Sequence, residues 1–363
     1  MKTSSLKKNI VLSAAIAALA SLPNLHAAVT VTIEGGSASQ SVLYDRATNL
    51  FAGGTLTVTG AASSAVRRFV GTSTNALLSG YGTITLDINV NNGAVNGLQA
   101  LANQTAGTGD TNILGVPVVP TFVDSATSPE AVGIDSVAAH FNSYPTYVVP
   151  LVYIKNANSI DTAPITNLTQ RQAVQLETAT NSTRYFGGTS TNQVFFIGRN
   201  SQSAVRTEID YNIYNSATIL SFYTNSLGQA TVDTNADPGL TAGGAVTSTV
   251  LVLTNAIGEV AVQNIKSGVV AIPYEGVPYS ANNVINGSYP LWGYENYYFI
   301  ATGNAGAPST AQQAVIDVFY ASVTNLAFQA QVGGVFTNNF IPNASLRVSR
   351  NFDGGPIVPL PNY

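Results

Sequence analysis

Two arginines and a capping serine fall close together in the stretch GRNSQSAVRTEID, residues 198–210. Charged residues make up only 9% of the chain, against about 25% in ordinary globular proteins. Arg199 lies within a predicted turn, where its planar guanidinium can bind an oxyanion through two hydrogen bonds. Arg206 falls in the first turn of the following helix, where the helix dipole disfavours a cation. An acidic partner, a ligand or solvent must therefore compensate the positive charge of Arg206.

The same local pattern, a strand followed by a small polar turn and a helix, recurs along the chain. Alternating apolar residues predict strands, for example from Val29 to Ile33, and apolar residues three or four apart then predict helices. Serine, asparagine and glycine in the turns are typical N-cap residues. Four turns carry the candidate ligand-binding residues: Ser37 and Ser39; Asn92 and Gly93; Asp124 and Ser125; and Arg199, Ser203 and Arg206.

Each predicted helix start presents unpaired backbone N–H groups and the positive end of a helix dipole. Several starts facing one crevice form an anion site without much formal charge. In open α/β sheets such turns meet at the carboxyl ends of the strands. The alternative is that each turn only caps its helix, which contributes about 1 kcal/mol to folding without any ligand.

Residue types that support most enzymatic chemistry are scarce. The chain has no cysteine, and His140 is the only histidine beyond residue 27. Neither a G-x-S-x-G nucleophile turn nor a phosphate-binding P-loop is present in the sequence. Asp233 and Asp237 could hold a calcium ion, but their neighbours are ordinary turn residues. We therefore expect no enzyme activity, no cofactor and no bound metal.

Residues 1–27 have the features of a secretory signal peptide: lysines, an apolar run and a permissible cleavage site. The run is too short to span a bilayer, so no membrane insertion is expected after cleavage. Cleavage removes three lysines and no acidic residue, so the formal charge of −4 becomes −7. This balance argues against a nucleic-acid partner. We expect the protein in the periplasm or secreted into the medium.

Strands alternating with helices predict an α/β fold with mixed, mostly parallel sheets flanked by helices. The chain without residues 1–27 also exceeds the usual single-core size of about 250–300 residues, so two lobes are expected.

Several motifs resemble those of the periplasmic phosphate-binding proteins, the type II solute receptors of ABC transporters. GRNSQSAVRTEI resembles the family's G-R-x-x-x-S-G-T-R turn, and TIEGGSASQSVLYDRA is similar to its opening strand, turn and helix. NLTQRQ and AIGE resemble a helix start and a strand of the family, and NGSYPL resembles its return crossing. Together these motifs extend from residue 29 to about residue 300.

This resemblance implies a clamshell of two lobes that closes on phosphate or a similar oxyanion and works with an ABC permease. It implies lobe boundaries at residues 28–150, 151–291 and 292–363, the last returning to the first lobe. The nine candidate residues carry over to its ligand-binding turns. Ala204 and Val205 replace the family's glycine and threonine, and Glu259 replaces a tyrosine.

Two other interpretations remain open. A secreted structural or surface protein could keep the receptor fold without an oxyanion ligand, which the low charge and the altered Ala204-Val205 pair favour. An all-β adhesin would account for residues 224–255, which can be interpreted as strands and turns, but the alternating βα pattern elsewhere disfavours it.

Overall fold

The computed structural model describes residues 28–331, 334–337 and 339–361; the predicted signal peptide lies outside the described residues. The strands are β1 Val29–Gly35, β2 Thr55–Thr59, β3 Val66–Thr72, β4 Ile84–Asn89, β5 Phe122–Ser125, β6 Phe141–Asn156, β7 Asn181–Ser182, β8 Gln193–Ile197, β9 Phe222–Thr224, β10 Ala230–Val232, β11 Ala256–Ala261, β12 Val269–Ile272, β13 Trp292–Ile300, β14 Ile341–Pro342, β15 Val348–Ser349 and β16 Val358–Pro359. The α-helices are α1 Gln40–Leu50, α2 Ala94–Asn103, α3 Gln170–Thr178, α4 Ala204–Ile213, α5 Gly243–Val252, α6 Ala281–Ile285, α7 Thr310–Val323 and α8 Leu326–Gln329.

One mixed sheet runs through the molecule in the order β2-β3-β4-β1-β5-β13-β6-β11-β8-β7, with β12 and β14 also paired to β6. The long strand β6 changes partners along its length: residues 141–150 pair with β13, and residues 151–156 pair with β11 and β12. We call the half built on β1 to β5 and β13 lobe I, and the half built on β8, β11 and β12 lobe II. The boundaries predicted from sequence stay a prediction.

Parallel pairing is confined to the centre of each lobe, where β1 pairs with β4 and β5, and β8 pairs with β11. All the other pairs between the described strands are antiparallel, so the sheet is mixed but less parallel than the βα repeat suggests. The reason is that β6 and β13 run in opposite directions, while β2 and β3 add a hairpin at one edge. These features are not encoded in the repeat itself.

Helices cover the sheet through the apolar faces that the sequence pattern indicates. Val42, Leu43 and Ala47 of α1 are fully buried, as are Val31 and Ile33 of β1. Burial on both sides of β1 is what a central parallel strand requires. Residues 224–255, interpreted as strands in the adhesin alternative, form only one short hairpin, β9–β10, and then α5. The all-β interpretation is therefore wrong.

The C-terminal segment contacts both β13, next to the strands that cross between the lobes, and α4 of lobe II. The Arg350 guanidinium stacks over the Trp292 ring, 4.1 Å from its centroid. It also donates hydrogen bonds to the carbonyl oxygens of Pro290 and Trp292 and to Asn212 of α4. Trp292 is the only tryptophan of the chain and is fully buried, so its fluorescence reports on this junction.

Candidate functional site

The starts of three helices, two from lobe I and one from lobe II, face a common cavity. Its volume is about 10 Å³, enough for roughly one water molecule. Four of the nine predicted residues line it, namely Ser37, Gly93, Arg199 and Ser203. The remaining lining residues are Gly36, Ala38, Ala94, Ala126, Ala204, Val205 and Glu295. The structure thus brings together turns that are far apart in the sequence.

Arg199 is held rigidly, because it is only 1% exposed and two of its five N–H donors bond to backbone carbonyls. Its Nε donates to the carbonyl of Leu240 at 3.0 Å, and its Nη2 donates to that of Thr241 at 2.7 Å. Nη1 is buried and has no hydrogen-bond partner among the described residues. Burial lowers the pKa of Arg199 to about 10, so the side chain stays charged at neutral pH. Both N–H donors of Nη1 on this fixed cation therefore remain for a ligand among the described residues.

Ser203 caps α4, since its Oγ accepts from the N–H of Arg206. Arg206 itself does not line the cavity. Its guanidinium contacts Asp210 at 3.3 Å and Asp237 at 3.8 Å. These two carboxylates are the acidic partners that a cation in the first turn of a helix needs.

Three other predicted residues are displaced from the cavity. Ser39 is the N-cap of α1, but its Oγ donates to the carbonyl of Gly36. The side-chain amide of Asn92 donates to Asp110, on the far side of its turn. Ser125 Oγ donates to the carbonyl of Thr127. Ser39 and Ser125 therefore bond within their own turns, and Asn92 bonds to the loop after α2.

Asp124 and Ser125 correct the sequence-based expectation, because they belong to strand β5 and do not form a turn at a helix start. A single 3₁₀ turn follows the strand where a helix was expected. Both residues are fully buried. Among the described residues neither Asp124 carboxylate oxygen has a hydrogen-bond partner, although Ser39 and Glu295 are close enough to perturb it.

Glu295 is a cavity residue that the sequence reasoning missed. It lies on β13, is 2% exposed, and has one carboxylate oxygen without a partner within the described ranges. Burial, with the neighbouring Asp124, raises its pKa well above the ordinary value. Burial also raises the pKa of Asp124, to about 6. Isolated acidic residues inside an aromatic strand gave no local signal of this pairing.

The two lobes already touch across the cavity. The N–H of Val95, in the first turn of α2, donates to the carbonyl of Gln202 at 3.3 Å. The N–H of Gly243, which begins α5, donates to Ser37 Oγ at 3.3 Å. Ser41 Oγ donates to Gln263 Oε1 at 2.8 Å. The N–H groups of Val95 and Gly243, at the starts of α2 and α5, are therefore each bonded to an acceptor in the opposite lobe. An anion of several atoms can enter only when the lobes separate.

The other candidate groups have structural roles. Asp233 accepts the backbone N–H of Gly239 within its loop, as turn residues do, and Asp237 accepts that of Ser201 in the turn before α4. Across the described residues, no cluster of three histidine or acidic side chains could hold a metal ion. His140 is exposed, at the start of β6.

Comparison with known proteins identifies the architecture. No protein-family model matches the sequence, and no curated protein gives a significant match. Solved structures do match. A putative phosphate ABC transporter substrate-binding protein from Clostridium perfringens, with bound phosphate, is 15% identical with a TM-score of 0.58, covering 86% of this chain and 99% of its own.

Two further structures agree. An ABC-type phosphate transport receptor from Vibrio cholerae is 12% identical, with a TM-score of 0.53 and coverage of 86% and 99%. A phosphate-binding protein from Stenotrophomonas maltophilia is 14% identical, with a TM-score of 0.50 and coverage of 86% and 90%.

The chain has the two-lobed fold of the periplasmic binding proteins. In a periplasmic-binding-protein fold, the cavity described above lies between the lobes and next to their crossing strands. None of the described helices is both long and apolar enough to cross a membrane. The fold that the sequence motifs implied is therefore confirmed, while identities of 12–15% leave the ligand to be argued from the site.

Proposed function

We propose that this protein is an exported solute-binding protein that binds phosphate or a similar small oxyanion between its lobes. The observation that carries the proposal is the buried, partly unsatisfied guanidinium of Arg199 beside three helix starts from both lobes. Helix N-termini and a fixed cation are the groups that stabilise an anion. The solved structures of this fold named above are described as phosphate-binding, which supports phosphate as the first ligand to test.

In this mechanism no bond is made or broken. The anion displaces the contacts of Val95 with Gln202 and of Gly243 with Ser37 and accepts hydrogen bonds from the released N–H groups. Both lobes contact the anion only when the cleft has closed around it, so binding of the anion favours the closed state. Delivery to an ABC permease, and a location in the periplasm or medium, are further parts of the proposal that rest on the shared fold and on residues 1–27.

A second candidate function has its own support. The lobes contact each other directly at Val95 and Gln202, and the cavity between them fits one water molecule. A secreted structural protein with permanently closed lobes would have this geometry. The two proposals differ in whether the contacts between the lobes yield to an anion.

Calorimetry on the refolded, ligand-stripped protein with phosphate, sulfate, arsenate and molybdate distinguishes them. We expect micromolar binding of one anion and at least tenfold weaker binding in Arg199→Ala, because a hydrogen bond to a charged group contributes about 1.5–3 kcal/mol. Arg199→Lys keeps the charge but loses the forked geometry, so it should also weaken binding. Arg171→Ala, at an exposed position on α3, is the matched control.

Circular dichroism and melting curves check that each variant is folded. If the native protein binds none of the four anions, the structural interpretation is favoured. If Arg199→Ala folds and binds as well as the native protein, the proposed site is wrong.

A further inference from the structure

A second and much larger cavity lies beside the small one, at the outer edge of the cleft. Its volume is about 910 Å³, in the range of small-molecule sites. Val95, Gln99 and Val132 line it from lobe I, and α4 with the turn after it lines it from lobe II. Gly93, which lines the small cavity, contacts the carbonyl of Gln202, which lines the larger one. Only Arg206 of the predicted site residues lines the larger one.

Two exposed tyrosines form one wall of this cavity. Tyr211 and Tyr214 are three residues apart at the end of α4 and are 41% and 70% exposed. The Tyr211 hydroxyl donates to the carbonyl of Ala131 in lobe I at 3.0 Å, which holds its ring across the cleft. Aromatic rings fixed in this way offer flat apolar faces together with polar edges.

Tyr214 adopts a backbone conformation that disfavours any side chain. It ends α4 with a φ of +57°, where glycine or asparagine is the usual residue. Because the ring is largely exposed, burial in the core does not offset this strain. Residues held in sparsely populated backbone conformations cluster at binding sites, so the position points to a ligand that the ring contacts.

The polar groups of the cavity suit a neutral ligand. The Arg206 guanidinium is shared between Asp210 and Asp237, so one cation faces two acidic groups and leaves no excess positive charge for an anion. Gln202 Oε1 is buried and has no hydrogen-bond partner within the described part of the chain. Amides, carboxylates and guanidinium groups supply donors and acceptors for hydroxyl groups.

We propose that this larger cavity binds a neutral saccharide of one or two rings. The C–H face of a sugar ring packs on Tyr211 and Tyr214, and its hydroxyls bond to Arg206, Asp237 and Gln202. The site uses the rim of the cleft and does not include Arg199, although the contact of Val95 with Gln202 belongs to both proposals.

Saturation-transfer NMR with glucose, galactose, mannose, maltose and cellobiose tests the proposal on the whole exported chain, followed by calorimetry for any sugar that binds. The Tyr214→Gly variant removes the ring and relieves the backbone strain together. We expect at least tenfold weaker sugar binding with an equal or higher melting temperature. Tyr211→Ala should weaken binding as strongly.

Tyr223→Ala is the control, because Tyr223 is similarly exposed on β9 but does not line the cavity; it should bind like the native chain. Phosphate affinity should be unchanged in Tyr214→Gly, so failure at this site is distinguishable from failure at the Arg199 site. Absence of binding for all five sugars would overturn the proposal. So would unchanged binding in folded Tyr214→Gly, or a preference for charged sugar phosphates over the neutral sugars.

Discussion

At the scale of single residues, the most unusual feature is the number of buried carboxyl groups with little cationic compensation. Burial raises the pKa of each of these groups: Glu34, Asp124, Glu177, Glu208, Glu259 and Glu295. A buried carboxylate is costly unless it is paired, and the group then takes up a proton instead. Glu259 is partly compensated, because it accepts the N–H of Arg199 at 2.8 Å. Burial nevertheless raises its pKa to about 7.

We therefore predict that the protein is more stable at pH 5 than at pH 8. A carboxyl whose pKa is raised in the folded state binds more protons there than in the unfolded chain, so its stabilisation is full below the unfolded pKa and is lost as pH rises through the folded pKa. For Glu259 this window runs from its ordinary value of 4.5 to about 7, and the loss is roughly 3 kcal/mol.

Urea denaturation at pH 5 and pH 8 measures the effect. Glu259→Gln should reduce the difference between the two pH values, because glutamine does not titrate. Glu275→Gln, at an exposed position, serves as the control and should leave it unchanged. A protein equally stable at both pH values would contradict the prediction.

At the scale of elements, the helices differ in whether a side chain caps their N-terminus. Thr169 of α3 and Ser309 of α7 form complete capping boxes. In the described structure α1, α2 and α5 have no side-chain cap. For α2 and α5, the opposite lobe supplies the hydrogen-bond partner instead. Of these three starts, those of α1 and α2 line the small cavity, and that of α5 contacts it only through Ser37.

The exception is α4, whose start faces the cavity and is capped by Ser203. We predict that Ser203→Ala lowers the free energy of unfolding by about 1 kcal/mol, because the N–H of Arg206 loses its acceptor. Ser201→Ala is the matched control two residues earlier, at an exposed position, and should change stability by less than about 0.5 kcal/mol. Chemical denaturation measures both variants, and equal losses would show that the cap contributes nothing specific.

At the scale of the whole molecule, the lobes meet through side chains at Ser37 and Ser41 and through backbone atoms where α2 begins. Gly93 has a φ of +85°, and a Cβ placed on it would lie 2.0 Å from the Gln202 carbonyl oxygen. Such an approach requires a residue without a side chain. The close approach of the start of α2 to Gln202 therefore depends on glycine at position 93.

We predict that Gly93→Ala separates the lobes at this contact. Small-angle X-ray scattering should give a larger radius of gyration, and the fluorescence of Trp292 near the crossing strands should change. Gly80→Ala is the control, because a Cβ at that position meets no atom within 4 Å. If Gly93→Ala folds with unchanged dimensions, the lobes are held by other contacts.

The sequence by itself determined the local units and the fold they imply. The strands that begin at Val29, Ile84 and Gln193, and the helices that follow them, are predictable because side-chain periodicity and capping act over a few residues. Ser203 is an N-cap for the same local reason. The motif resemblance then gave the two-lobed architecture, which the solved structures confirm.

Only the tertiary structure decided what each polar group meets. Asp124 and Glu295 are 171 positions apart, and adjacent strands place them side by side. The Gln202 carbonyl occupies the start of α2, and Arg206 faces a different cavity from Arg199. These contacts depend on how the lobes pack, and residues distant in sequence share no local pattern that encodes their distance. The number of donors left free for a ligand is therefore a property of the packed lobes.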